Sequence, residues 1–296
     1  RADTDLVADM DEHGIDQAWL LTWEIPVGQE LPGSYHGVLN PVHVRLDGSH
    51  RGVVLSDLLK ARDRFPGRFI LGYCPDPLVG DAPALLEAAY HMYRVRVCGE
   101  WKFRMLFDDP RCLELFYKAG ELGCPVVLHL DVPYMVEGAS ARPIYQPNWY
   151  GGTVDNLERA LRACPETTFI GHAPGFWRHI SGDADDSPDA YPSGVISEGG
   201  RLYALFDLNP NLHADLSAGS ALRALKRNPE HACTFLERFA DRLLFGRDYY
   251  GGELIHFLQS LNLPSSVREK IYYKNARMLV QPVALAESTA PRLTLG

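Results

Sequence analysis

The feature that most constrains this chain is an alternation, sustained along most of its length, of short apolar runs with longer amphipathic segments. Short apolar runs bounded by turn residues read as buried strands, and the amphipathic stretches between them read as crossover helices. Together they form the pattern of βα units around a parallel sheet. Seven runs carry strand character: 17–22 (QAWLLT), 68–74 (RFILGYC), 95–105 (VRVCGEWKFRM), 125–129 (PVVLH), 167–172 (TTFIGH), 211–216 (NLHADL) and 242–246 (RLLFG). Helical patterns occupy 6–14, 54–65, 84–92, 110–123, 153–164, 201–210 and 231–240, many of them ending in glycine or a proline-containing turn.

No linker rich in serine, proline or glycine splits the chain, and no repeat exists beyond the βα alternation, so one domain over 1–296 is expected. An α/β barrel fills this length as a single unit. The long irregular inserts at 23–52, 131–152 and 173–199 all follow a strand, and in such a barrel the loops after strands build the active-site face. The first helical pattern precedes every strand, whereas a βα barrel starts with a strand.

Composition narrows the function. Lysine plus arginine (29) against aspartate plus glutamate (38) leaves a net charge of −9 with no basic run, which argues against binding a phosphate backbone or an anionic membrane surface. An apolar share of 46% argues against disorder. No stretch approaches a spanning helix, and the first residues do not form a secretory signal. The six cysteines form no C-x-x-C pair, so neither a thiolate zinc site nor a disulfide framework is indicated, and a reducing, cytoplasmic location is expected.

Three of the predicted strands lead into a residue able to bind a metal: VVLH at His129, TFIGH at His172 and LLFGRD at Asp248. Taken singly, a histidine at a strand end is more often a hydrogen-bonded structural residue, and an aspartate after a strand is often a helix cap. Together they are more specific, because the C-terminal strand ends of a parallel barrel converge on one pocket. Two imidazoles and a carboxylate suit a divalent cation, most naturally zinc, with manganese or iron as alternatives.

The segments PVVLHLD, TFIGHAPGFW, NLHADLSA, LLFGRDYYGG and the closing helix VREKIYYKNARMLV resemble the amidohydrolase superfamily. The resemblance is to the branch that includes aminocarboxymuconate-semialdehyde decarboxylase and related metal-dependent hydrolases, and it runs from about Asp3 to Val280. It implies a distorted (β/α)8 TIM barrel, with His129 as a metal ligand and His172 as a second ligand or a proton-transfer group. Asp248 is then a ligand of the metal or its water and the general base or acid. Members of the superfamily open on a strand carrying a His-x-His pair. No such pair occurs here, so the resemblance leads one to expect that strand ahead of Arg1, or else a weakened site. Some members use a glutamate or modified lysine on the strand that matches VCGEWKFRM. Glu100 is therefore a further candidate ligand, and Lys102 and Arg104, on the same strand face by alternation, are candidates for charge balance or for holding a substrate carboxylate. A buried ion-paired network is the equally weighted alternative for these three.

Weaker candidates complete the set. His179 follows the histidine strand, and His213 shares a strand face with Asp215, so one of that pair could support a ligand. Trp177, Trp149, Tyr249 and Tyr250 lie on loops after strands and could wall a substrate pocket, Trp177 and Tyr249 foremost; Arg178 and Arg247 could bind a carboxylate. The expected function is hydrolysis of an amide, lactone or ester bond of a small molecule by metal-activated water. The alternatives are decarboxylation of a small aromatic or unsaturated acid, or a non-catalytic barrel with a degenerate site. The resemblance also implies a homodimer.

Overall fold

The computed structural model describes residues 3–29, 41–135, 142–248 and 250–281. Every predicted strand is present: β1 (Ala18–Leu21), β2 (Phe69–Gly72), β3 (Cys98–Trp101), β4 (Val126–His129), β5 (Phe169–His172), β6 (Leu212–Asp215) and β7 (Leu243–Leu244). They lie in chain order and all pair in parallel: β1 with β2, then β3 through β7 as a continuous sheet. A parallel bridge between Gly72 and Val97 joins the two parts. Among the described residues, β1 pairs only with β2 and β7 only with β6. The predicted runs at 95–105 and 242–246 shorten to four and two residues of strand, because their flanks leave the sheet to enter loops.

Burial shows how the sheet curves. Ile70, Val97, Val127, Ile170 and Leu244 form one apolar cluster, with Trp19 and Leu21 packed against it. Their strand neighbours Phe69, Leu71, Cys98, Val126, Leu128, Phe169, Leu212, Ala214 and Leu243 belong to a separate and larger one. Side chains alternate across a strand, so the first cluster fills the interior of a wound sheet and the second is the layer between sheet and surrounding helices. This is the architecture of a (β/α)8 barrel, of which seven parallel strands are seen among the described residues.

The helices form for local reasons and then pack. Helix α1 (Asp3–Glu12) precedes β1, and α2 (Leu55–Arg64) and α3 (Ala82–Tyr93) follow β1 and β2. Helix α4 (Pro110–Glu121) starts with proline at its first position, and the Asp109 side chain accepts from the Arg111 N–H at 3.0 Å. It buries Cys112, Leu115, Phe116 and Ala119, a single stripe at helical spacing. Helix α5 (Val154–Ala163) opens on a capping box of Thr153 and Asn156 and buries Val154, Leu157, Ala160 and Leu161.

After β5 the chain forms a short helix α6 (Pro174–Trp177), then α7 (Arg201–Leu208). Helices α8 (Ala218–Lys226) and α9 (Pro229–Arg238) both stand between β6 and β7; the first was not evident from its periodicity. Helix α10 (Glu253–Ser260) was missed in the same way. The closing segment is continuous helix over 265–279, with one π turn at Lys270–Lys274. None of the described helices is long and apolar enough to cross a membrane.

Candidate metal centre and its cavity

Strands β4 and β5 pair in register with His129 directly opposite His172, which sets the two imidazoles side by side with ring centroids 5.5 Å apart. Both point inward from the last position of their strands and are buried. The third member reaches them through an irregularity. Cys98 pairs with Val126 and Trp101 with Leu128, so Gly99 and Glu100 together face the single inward residue Val127. This β-bulge breaks the alternation: Cys98 and Trp101 stay in the outer core while Glu100, an even step from Cys98, turns inward. Glu100 Oε1 lies 2.5 Å from His129 Nδ1 and 3.7 Å from His172 Nε2.

The electrostatics follow from burial and proximity. Burial alone would raise the Glu100 carboxyl, but Lys102, His129 and His172 outweigh it and hold the group well below the usual carboxylate range. His129 is lowered by burial and by Lys102, against the pull of Glu100. Burial also opposes charge on His172, yet Asp215, by its charge and its hydrogen bond, together with Glu100 and Asp248 pushes that imidazole up to about 10.

The two sequence neighbours of this strand part company. Lys102 lines the cavity, its ammonium 4.7 Å from the centroid of Trp23. Arg104 does not reach the cavity wall; its guanidinium stacks over Trp149 at 4.9 Å. The cavity has a volume of about 1700 Å³ and is lined by Glu100, His129, His172 and Lys102 together with Asp248 and Tyr250. Asp248 is exposed through the open end. The protein packed around its carboxyl and the charge of Glu100 raise its pKa, while His172, Lys102 and His129 oppose the rise. It is not part of the compact three-donor cluster.

Most of the other candidates lie elsewhere. Trp177 is fully buried and does not line the cavity; its indole N–H donates to the Asp215 carbonyl at 3.0 Å, so it supports the wall from behind. That corrects its expected place among substrate-facing aromatics: α6 turns the residue into the core. His179 is buried away from the cavity, 3.9 Å from Asp185, and burial pushes it down to about 4. His213 does not line the cavity, and its Nδ1 is buried without a hydrogen-bond partner among the described residues. Arg247 lines the cavity but is paired with Asp9 at 2.6 Å, and Arg178, away from the cavity, donates to the Ser187 carbonyl. Tyr249 falls outside the described residues.

Two residues of the cavity wall escaped the sequence reading. Asp131, two positions after His129, places Oδ2 3.9 Å from His129 Nε2; the same-face spacing H-x-D was its signal. Ser217, two positions after Asp215, bonds both Asp215 and His172; the D-x-S spacing past a strand end was the signal there. The backbone around them is tight: a Cβ on Gly175 would stand 2.4 Å from the Asp131 carbonyl oxygen, so only glycine lets α6 approach that loop.

The donor set fits a divalent cation. One half-buried carboxylate and two buried imidazoles offer ligand atoms within 4.8 Å of one another. An ion bound at about 2.0–2.2 Å from each donor needs them within about 4.4 Å of one another, close to the spacing found here.

The fold and the candidate divalent-metal centre are those expected of an α/β-barrel of the amidohydrolase type, and comparison of the sequence shows the family. Residues 37–281 match the model of the Amidohydrolase family, and the chain belongs to that family. Among curated proteins none matches it in sequence. Solved structures share its fold. A TIM-barrel protein of Bordetella bronchiseptica superposes with a TM-score of 0.61 at 18% identity, over 94% of this chain and 82% of that one. The 5-carboxyvanillate decarboxylase LigW of Sphingomonas paucimobilis gives 0.56 at 16% identity, over 94% and 83%. A Pseudomonas putida protein provisionally named a 2-pyrone-4,6-dicarboxylic acid hydrolase gives 0.53 at 17%, over 93% and 86%.

Proposed function

We propose that this chain is a metal-dependent hydrolase of a small molecule carrying an amide, lactone or ester bond. The observation that carries the reading is the set of half-buried Glu100 with buried His129 and His172 at the wall of a cavity large enough for such a substrate. These three residues would hold the ion, with zinc the best match to two imidazoles and a carboxylate and manganese or iron as alternatives. Bound there, a divalent cation supplies Lewis acidity, polarising a carbonyl and making water more acidic. Asp248, at the open end of the same cavity, takes up a proton from water and returns it to the leaving group. Lys102 offers a positive charge to an anionic part of the substrate, and Tyr250 a wall; Tyr249 belongs to this proposal on sequence grounds alone. Six free cysteines, five of them buried, suit a reducing compartment such as the cytoplasm.

One observation favours a second reading, decarboxylation of a small carboxylic acid. Lys102 places an ammonium in the cavity lining beside the candidate centre, a ready counter-charge for a substrate carboxylate. Assays of metal-loaded protein separate the two. Acid release from a panel of lactones, esters and amides supports hydrolysis, and carbon dioxide release from aromatic and unsaturated acids supports decarboxylation. Metal-dependent turnover of neither panel defeats both. Asp248→Asn is expected to keep metal and fold while abolishing turnover, and an active variant would remove Asp248 from the mechanism.

A further inference from the structure

Asp215 and Ser217 stand behind His172 in an arrangement whose protons can be assigned from distances alone. Ser217 Oγ lies 2.6 Å from Asp215 Oδ1 and 2.8 Å from His172 Nδ1, and His172 Nδ1 lies 3.0 Å from Asp215 Oδ1. The same carboxylate oxygen also accepts from the Ser217 backbone N–H at 3.0 Å. An oxygen–oxygen contact of 2.6 Å requires a proton between the two atoms, and with an ionised aspartate only the serine hydroxyl can supply it. The hydroxyl therefore donates to Asp215 and has no proton left for His172. Nδ1 must be the donor in its own contacts, to Ser217 Oγ and to Asp215 Oδ1.

A serine, a histidine and an aspartate in contact invite comparison with a nucleophile triad, but the wiring differs. In a triad the serine and the acid use opposite nitrogens of the ring, so that a proton passes through it. Here both use Nδ1, and Nε2 faces Glu100 at 3.7 Å. The arrangement cannot activate the serine; it can only orient the ring.

We propose that Asp215 and Ser217 are positioning residues. They hold a proton of His172 on Nδ1 and so leave Nε2, the nitrogen that faces Glu100, as the ring's ligand atom for the candidate metal centre; this rests on the metal-dependent reading above. The support around them is rigid. The Asp215 carbonyl accepts from the Trp177 indole, Asp215 pairs with Leu244 in the sheet, and the Leu216 N–H donates to the Leu244 carbonyl at 2.9 Å. Gly246 passes close by: a Cβ there would meet the Ser217 Cβ at 3.1 Å, so the missing side chain leaves Ser217 its place. Hydrogen-bonded partners behind a ligating histidine characteristically fix its orientation and strengthen metal binding.

The test uses metal-stripped whole protein titrated with zinc or manganese in a calorimeter, together with nitrogen–proton NMR of the histidine rings. Asp215→Asn and Ser217→Ala are expected to weaken metal binding by roughly 10–100-fold. The wild type is expected to show a slowly exchanging Nδ1 proton on His172, and in both variants that proton is expected to exchange faster. Ser217→Thr, which keeps the hydroxyl, restores both. An unchanged affinity or an unchanged Nδ1 proton in both weakened variants overturns the proposal, as does failure of the threonine variant to restore them. If the wild-type chain itself binds neither metal, the metal-dependent reading fails, and the Nδ1 proton alone then decides the role of the two residues.

Discussion

Asp9 on α1 and Arg247 just after β7 form an ion pair at 2.6 Å in which both side chains are largely buried, 13% and 9% exposed. The Gly251 N–H also reaches the same aspartate. The pair ties the first described helix to the loop that carries Asp248, across the side of the barrel where β1 and β7 have no partner among the described residues. Asp9→Ala leaves a buried guanidinium without its anion, and a loss of about 1–3 kcal/mol of unfolding free energy is expected, less than for a fully buried pair. Urea denaturation measures it. A change below about 0.5 kcal/mol, the range of ordinary surface substitutions, would show the clasp to be dispensable.

Glu100→Gln removes the only carboxylate of the three-donor set while preserving its shape. Metal content after metal-replete purification is expected to fall from about one equivalent to below about a tenth, with the far-ultraviolet spectrum unchanged. Elemental analysis of the purified variant checks this, and a full equivalent in it would exclude Glu100 as a ligand.

His179 gives the fold a defined acid sensitivity. Burial holds its imidazole down to about 4 against an ordinary 6.5; Asp185 pulls the value up, Arg178 and Arg201 push it further down, and Asp155 pulls weakly up. Between those two values the unfolded chain binds a proton that the folded chain does not, so stability rises with pH across that window. The contribution is complete above about 6.5 and is lost as pH falls toward 4. His179→Gln is expected to flatten the decline in denaturation midpoint between pH 6.5 and 4 relative to wild type; parallel curves would contradict the assignment.

Gly171 lies one residue before His172, facing the outer core, and a Cβ there would come 2.3 Å from the Phe176 ring. Gly171→Ala must displace that ring and with it the start of α6. A loss of about 1–3 kcal/mol is expected from overpacking, read as a lowered thermal midpoint. An unchanged midpoint would mean that Phe176 has room to move.

The alternation of apolar runs and amphipathic helices specified the strands and their order, because both periodicities are local properties of the chain. The strand-end histidines were legible for the same reason: a residue closing a parallel strand must emerge at one end of the barrel, whatever its distance in sequence. Period-two reasoning placed Glu100 and Lys102 on one face, and both do line the cavity. It could not foresee that Cys98 leaves that face at the bulge, since a bulge depends on how neighbouring strands pair. Nor could it follow the chain beyond a strand end. Trp177 reads as a loop aromatic until α6 carries it into the core, and Arg104 reads as a pocket charge until it meets Trp149.

By itself, then, the sequence determined the class of fold and the two imidazoles of the candidate centre, which follow from residue type and spacing. Tertiary structure alone showed which candidate carboxylate stands within donor range of both imidazoles. Glu100 reaches His129 and His172 through a bulge, while Asp248, equally suggestive in sequence, stands at the open end outside the three-donor cluster. It also decided that Asp215 and Ser217 stand behind His172, where three side chains from the ends of two adjacent strands share a proton assignment that only distances below about 3 Å can express.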